Sequence, residues 1–327
     1  MSDETTRPGP LDRLLDLTVV PGFTKLGYAI RSRSFDPLPA AGGKTIVITG
    51  ASTGLGLATA RMCAKAGASL VLISRDAERG EAALGQVRGL ASRDASIEFL
   101  RCDLSDLGSV RKVAAKLANA HPAIDALVLN AGVLLHERRI TEDGIELAWA
   151  TNVVGPYLLE QLMLDQLEAA AGRVVMVTSG GAYSQRLALP EVDLAGERYE
   201  GSAVYARTKR AQIALAELQA EQLADRGIAV HAVHPGWADT PGVQDSLPTF
   251  RRLTAPLLRD SDQGADTIAW LALADPPELS SGLLWHDRRP RPRHRVPGPS
   301  ESAADREALD SELQRLSGLD RSGGVRG

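Results

Sequence analysis

Tyr205 and Lys209 stand four residues apart in a stretch with helical spacing, so both side chains leave one face of the helix. A tyrosine with an ordinary pKa of about 10 is a poor proton donor and acceptor at neutral pH. A lysine ammonium beside it favours the phenolate and brings the group toward a working range. Ser179 closes the apolar run Val177-Thr178-Ser179-Gly180, where its hydroxyl can hydrogen-bond a substrate oxygen and stabilise charge as a hydride moves. A lone Tyr-x-x-x-Lys is ordinarily a surface pair, so this reading depends on the residues around it.

Upstream lies Thr49-Gly50-Ala51-Ser52-Thr53-Gly54-Leu55-Gly56, a turn between an aliphatic run and a helical stretch. Glycines at 50, 54 and 56 let the backbone turn tightly and approach a pyrophosphate, with the helix N-terminus supplying free N–H groups. Gly50-Ala51-Ser52-Thr53-Gly54 also fits the nucleophile elbow of a hydrolase. An elbow follows several strands, whereas this turn follows the first, and a hydrolase leaves the other motifs unexplained. Ser74-Arg75 closes the second aliphatic run, where an NAD-binding enzyme carries an acid for the ribose 2′-hydroxyl. A hydroxyl and a guanidinium suit a 2′-phosphate, so NADP(H) is expected over NAD(H). Asp76 reads as the N-cap of the next helix. Asp103-Leu104 and Asn130-Ala131-Gly132 close the third and fourth runs, on the rim where ligands bind in open α/β sheets. Each alone is an ordinary turn.

These residues need a scaffold that brings strand ends together. Apolar runs at Lys44–Thr49, Ser69–Ser74, Ile97–Cys102, Ala126–Asn130, Arg173–Thr178 and Ile228–His234 alternate with helical stretches such as Leu57–Ala66, Val110–Ala120 and Ala203–Ala224. Continuous apolar runs are strands buried on both faces. The expected fold is α/β, a doubly wound parallel sheet of the Rossmann type, with Gly282–Trp285 as its last strand. One catalytic domain spans 44–286, preceded by a helical arm (1–43) and followed by a largely flexible tail (287–327). Leu11–Val20 in the arm has an apolar face that docks on the domain or, as lesser alternatives, touches a membrane or stays disordered. Gly236–Asp260 reads as a long irregular insertion, and Arg288–Arg295 as a solvated basic run.

The chain has 327 residues, 44% hydrophobic and 24% charged, with a formal net charge of -4. That is the composition of a soluble globular protein, with no electrostatic reason to expect nucleic acid as a partner. Cys63 and Cys102 read as buried thiols of a reducing compartment, and six scattered histidines show no metal-ligand spacing, so no metal is expected. With no secretory leader and no membrane-spanning run apparent, the expected location is cytoplasmic.

Together the motifs resemble the short-chain dehydrogenase/reductase superfamily, over about residues 44–286: T-G-x-x-x-G-x-G at Thr49–Gly56, Asn130-Ala131-Gly132, Asn152, Ser179, Tyr205-x-x-x-Lys209 and Pro235-Gly236. The resemblance implies Tyr205 as general acid/base and Lys209 as the residue that binds the nicotinamide ribose and tunes the tyrosine. It further implies Ser179 polarising the carbonyl, Asn152 supporting a water-linked proton relay, and Pro235, Gly236 and Thr240 flanking the nicotinamide. A closer likeness, to the dehydrogenase/reductase family member twelve subgroup, rests on Ser179-Gly180-Gly181, the run His234 to Val243, Gln263 to Thr267, and His286-Asp287-Arg288. The 26 positions between Ser179 and Tyr205 exceed the superfamily's usual spacing, so Ala182–Ser202 is expected as an extra loop at the site mouth.

The substrate expected is a small, moderately apolar carbonyl or secondary alcohol, with Leu187, Leu189, Trp237, Val243, Leu247 and Phe250 as candidate pocket residues or as local packing. A non-catalytic dinucleotide sensor or scaffold is the competing class; such proteins commonly lose part of the Asn152, Ser179, Tyr205, Lys209 set. His234 reads as packing beneath the cofactor. Members of the superfamily pair through helices corresponding to Asp143–Ala169 and Ala203–Ala224, so a homo-oligomer is an expectation that the arm and tail can obstruct.

Overall fold

β-branched and aliphatic runs form the strands, because only a sheet covered on both faces buries every residue of such a run. In the computed structural model, described for residues 22–190, 199–239, 252, 254–274, 280–294 and 301–319, eight strands form one sheet. They are β1 (Thr45–Thr49), β2 (Ser69–Ser74), β3 (Ile97–Arg101), β4 (Ala126–Leu129), β5 (Arg173–Val177), β6 (Ala229–Val233), β7 (Leu284–His286) and β8 (Arg289–Arg291), ordered β3-β2-β1-β4-β5-β6-β7-β8. All neighbours pair in parallel except β7 and β8. The order reverses between β1 and β4, the switch point at which such sheets open a ligand crevice.

One face is covered by α2 (Gly54–Lys65), α3 (Ala77–Arg88) and α7 (Ser261–Leu273), the other by α4 (Leu107–Ala120), α5 (Gly155–Leu162) and α6 (Gly201–Gln222). A short helix, α1 (Lys25–Arg31), precedes β1. Asp76, Asp106 and Asp260 cap α3, α4 and α7, each side chain accepting the main-chain N–H of the residue three positions on.

The segment expected as a loose tail is built into the domain over its described residues. β8 closes the sheet edge, and α8 (Ala303–Ser317) starts in a capping box from Ser302 and Asp305. Leu309 and Leu313 of α8 are fully buried, at about 1.5–3 kcal/mol each. Tyr157 on α5 donates to Asp310 at 2.8 Å, and Arg111 on α4 donates to the Ser317 carbonyl at 2.6 Å. Over its described residues, 288–294, the basic run is tied to the domain as well. Arg288 pairs with Asp266 at 2.8 Å, Arg293 pairs with Glu217, and Arg291 donates to the His286 carbonyl at 3.2 Å. Leu11–Val20 lies outside the described residues. The arm from Gly22 onward is docked on the domain, with Phe23 and Thr24 buried.

Candidate active site

Thr49, at the end of β1, begins the site by locking two strand ends together. Its hydroxyl donates to the Val128 carbonyl at 3.2 Å and accepts from the N–H groups of Asn130 and Ala131 at 3.0 and 3.1 Å. Asn130 returns the tie, its Nδ2 donating to the Thr49 carbonyl at 2.9 Å and to that of Gly50 at 3.3 Å. Gly50 and Gly54 have φ of 66° and 54°, a region that costs most other residues energy. A methyl at Gly56 would lie 2.3 Å from the Gly50 carbonyl, so this glycine allows the turn to close on itself. The Thr53 side chain does not cap α2, which leaves that N-terminus able to receive an anion.

A cleft of about 690 Å³ runs from this turn across the switch point. Gly50, Ser52, Thr53, Gly54 and Leu55 line one end, with Ser74, Arg75, Asp103 and Leu104 beside them. Asn130, Ala131, Gly132, Ser179, Tyr205, Lys209, Pro235 and Gly236 line the rest. Gly56 supports the turn from behind, and Thr240, Val243, Leu247 and Phe250 lie outside the described residues. The glycine cradle and the uncapped N-terminus of α2 fit a dinucleotide pyrophosphate. The Ser74 hydroxyl donates to the Asp76 carbonyl at 3.0 Å, while Arg75 is exposed. Arg79, not singled out in the sequence, also reaches the cleft and pairs with Asp76 at 2.8 Å.

Tyr205 and Lys209 emerge from α6 and line the cleft together with Ser179. Burial pushes the Tyr205 phenol up to about 12, partly offset by Ser179. The expected lowering by Lys209 is not what dominates. Burial brings Lys209 itself down to about 7, and its Nζ lies 5.5 Å from the Tyr205 ring centre. An ammonium that is itself penalised at neutral pH can offer only part of its charge to the tyrosine.

Asn152 sits in a π-helical turn, Ala150–Val154, fully buried behind the cleft. Its Oδ1 accepts from the Val133 N–H at 2.8 Å, and its Nδ2 donates to the Val133 carbonyl and to Thr208 Oγ1, both at 3.0 Å. Its main-chain carbonyl accepts from Gln212 Nε2 at 2.9 Å. Besides Arg79, sequence reasoning missed two residues behind the cleft; one is Gln212, whose only signal is its place three residues after Lys209.

The other is Arg259. It is 1% exposed and donates to the carbonyls of Gly22, Thr24 and Pro235 and to Asp287, tying the arm, the Pro235-Gly236 turn and β7 into one network. Phe23 enters the cleft wall from the arm, its ring edge-on to His234 at 4.4 Å. His234 is buried and stacked on His286 at 4.9 Å, so it packs as expected rather than facing chemistry. Trp237 lines the cleft, whereas Leu187 and Leu189 pack against the core. Ser184 and Ser202, from the segment between Ser179 and Tyr205, stand at the cleft wall. Among the described residues no group of acidic, His or Cys side chains is arranged to hold a metal.

A short chain dehydrogenase family profile matches residues 44–249. The dehydrogenase/reductase SDR family member 12 of Bos taurus is 36% identical, over 90% of this chain and 93% of that protein. Retinol dehydrogenase 13 of Homo sapiens is 30% identical, over 85% of this chain and 86% of its own. The crystal structure of an uncharacterised protein from Mycobacterium paratuberculosis superposes with a TM-score of 0.67 at 27% identity, covering 86% of this chain and 96% of that one. The chain, with its cleft at the β1–β4 switch point and its Ser179, Tyr205 and Lys209 side by side, belongs to the short-chain dehydrogenase/reductase family of oxidoreductases.

Proposed function

We propose that this protein is an NADP(H)-dependent reductase or dehydrogenase acting on a moderately apolar carbonyl or secondary alcohol, with Tyr205 as general acid/base. The observation that carries the reading is that Ser179, Tyr205 and Lys209 line the same cleft as the glycine cradle. The bound nicotinamide supplies or takes up the hydride. The two hydroxyls converge on one substrate oxygen. Ser179 donates to it as negative charge builds, and Tyr205 gives it a proton in reduction or takes one in oxidation. With the phenol pushed up to about 12, Tyr205 holds its proton at neutral pH, the state that reduction requires. Oxidation needs the phenolate, so its rate should rise with pH.

Ser74 in place of an acid, with Arg75 and Arg79 at the same end of the cleft, supports NADP(H) over NAD(H). Phe23, Leu134 and Trp237 on the wall support an apolar substrate, and the retinol dehydrogenase likeness agrees with it. Two buried free thiols support a cytoplasmic location.

The test has two parts. Nicotinamide fluorescence titration should give tighter binding of NADPH than of NADH, and Ser74→Asp should reverse the order. Tyr205→Phe should bind dinucleotide as before but reduce carbonyls roughly 100-fold more slowly or worse. Unchanged turnover in Tyr205→Phe would overturn the role of the tyrosine, and a folded protein that binds neither dinucleotide would overturn the whole reading.

A further inference from the structure

Lys209 is held from behind by a side chain that the resemblance does not include. Its Nζ donates to the Val177 carbonyl at 2.8 Å and to Gln212 Oε1 at 3.1 Å. Gln212 Nε2 then donates to the main-chain carbonyl of Asn152 at 2.9 Å. Lys209 is 2% exposed and Gln212 3%. Both bonds fix the orientation of the amide. Turned over, it would set an NH2 group against the lysine and two carbonyl oxygens against each other.

We propose that Gln212 is a positioning residue that fixes Lys209 beneath Tyr205 by bridging it to Asn152, where the resemblance implies a water-linked relay. This rests on the oxidoreductase reading above. A water in that position accepts one proton while releasing another. A neutral amide accepts at oxygen and donates at nitrogen, and passing a proton through it requires the unfavourable imidic acid form. The bridge is therefore a strut and not a wire. When the carbonyl is reduced, Tyr205 loses its hydroxyl proton to the new alcohol oxygen.

The π-helical turn explains why the Asn152 carbonyl can serve as the anchor. A π turn departs from the α pattern of main-chain bonding, and Ala150–Val154 presents this carbonyl toward α6. Thr208 Oγ1, which accepts from Asn152 Nδ2 and donates to the Tyr205 carbonyl at 2.7 Å, makes a second tie between the same two elements. Facing Nζ are the Val177 carbonyl on β5, Gly132 after β4, where a methyl would come within 3.3 Å, and Gln212 and the Tyr205 ring on α6. Burial is the cause that brings Lys209 down to about 7.

The chain has six lysines, so NMR of ¹³C-lysine-labelled protein without dinucleotide can follow each one, with the Lys209 signal identified by its loss in Lys209→Arg. Gln212→Leu removes an acceptor of the ammonium and should lower the Lys209 titration midpoint. Gln212→Glu supplies a charged acceptor and should raise it. Both lose the donor to Asn152 and should reduce kcat on the order of tenfold or more. The pH profile of kcat should move in the same direction as each midpoint. A Lys209 midpoint identical in wild type and in the folded variants overturns the proposal, and so does an unchanged kcat. A wild type that reduces no carbonyl with either dinucleotide refutes the oxidoreductase reading, while the NMR titration still decides whether the bridge exists.

Discussion

Replacing Asp287 by Asn removes one negative charge from the centre of a buried network and changes little else. Asp287 has φ of 52°, a region in which Asn is at home, so the backbone turn between β7 and β8 survives. Its Oδ1 accepts from Arg259 at 2.6 Å, and its Oδ2 accepts from Arg259 and from Arg31, each at 2.9 Å. Burial opposes the charge, but His286 and the two guanidiniums outweigh it and hold the carboxyl far below the usual range. His286 is itself pushed down to about 3, chiefly by burial, so at pH 7 it is neutral and the arginines carry the effect. In the variant, an NH2 group faces a guanidinium, so at least one charge-assisted bond is lost outright, at about 1.5–3 kcal/mol, and the others lose the carboxylate's charge. Breaking a buried ion pair from one side costs about 3–5 kcal/mol, in agreement. That is a large share of a domain's net stability. The carboxyl's folded pKa lies below its unfolded value of about 3.9, so its contribution is complete above that pH and is lost as the pH falls. Urea unfolding should show a gap of about 3–5 kcal/mol between wild type and Asp287→Asn that is flat from about pH 5 to 8 and shrinks below about pH 4. A gap under about 1 kcal/mol at pH 7, the value of an exposed pair, would refute the reasoning. Dinucleotide binding should weaken as well, because Arg259 also donates to Pro235, and a methyl at Gly236 would lie 2.5 Å from its Nε.

Glu160 on α5 gives the opposite sign: burial pushes its carboxyl up to about 8, so it is neutral in the folded protein at pH 7. Its folded pKa exceeds the unfolded one, so stability falls as the pH rises from about 4.5 to about 8. Glu160→Gln should gain on wild type across that window in urea unfolding, and parallel curves would contradict the reading. Because α8 covers α5 and α6, the helices through which the family's pairing was expected, sedimentation velocity should find a monomer; a stable dimer would mean that another face associates. Cys63 and Cys102 are buried, and burial pushes their thiols up to about 12 and about 11, so neither should react with a thiol reagent until the protein unfolds.

The sheet could be read from the chain because each strand is a short run such as Thr45–Thr49 or Arg173–Val177, and such a run has few other places to go. The rim residues followed from it: once β1 and β4 are neighbours, Gly50 and Asn130 must meet. The C-terminal helix reads as a short amphipathic stretch near Ala303–Leu316, but its docking on the domain was missed for a physical reason. The apolar side chains of its inner face are only Leu309, Leu313 and the half-buried Leu316, set among acidic and basic residues that resemble a solvated helix. Those charges are answered by Arg210 and Glu217 on α6, which in sequence look equally like surface residues.

Arg259 and Gln212 were illegible for a related reason. Arg31 and Asp287 stand 256 positions apart, and no local pattern announces that a buried arginine will join them. An amide at Lys209 plus three residues carries no charge or aromatic ring to draw attention, and its meaning depends on the Asn152 carbonyl 60 positions upstream. Residues that touch substrate are constrained by the chemistry and so repeat in type and spacing wherever that chemistry recurs. Residues that hold them are constrained only by what happens to be across the gap. A water, a hydroxyl or an amide can each fill the space between Lys209 and Asn152, yet the three differ in whether a proton can pass. The chemistry of a site can therefore be legible in its motifs while the route of its protons is set by a neighbour that no motif contains.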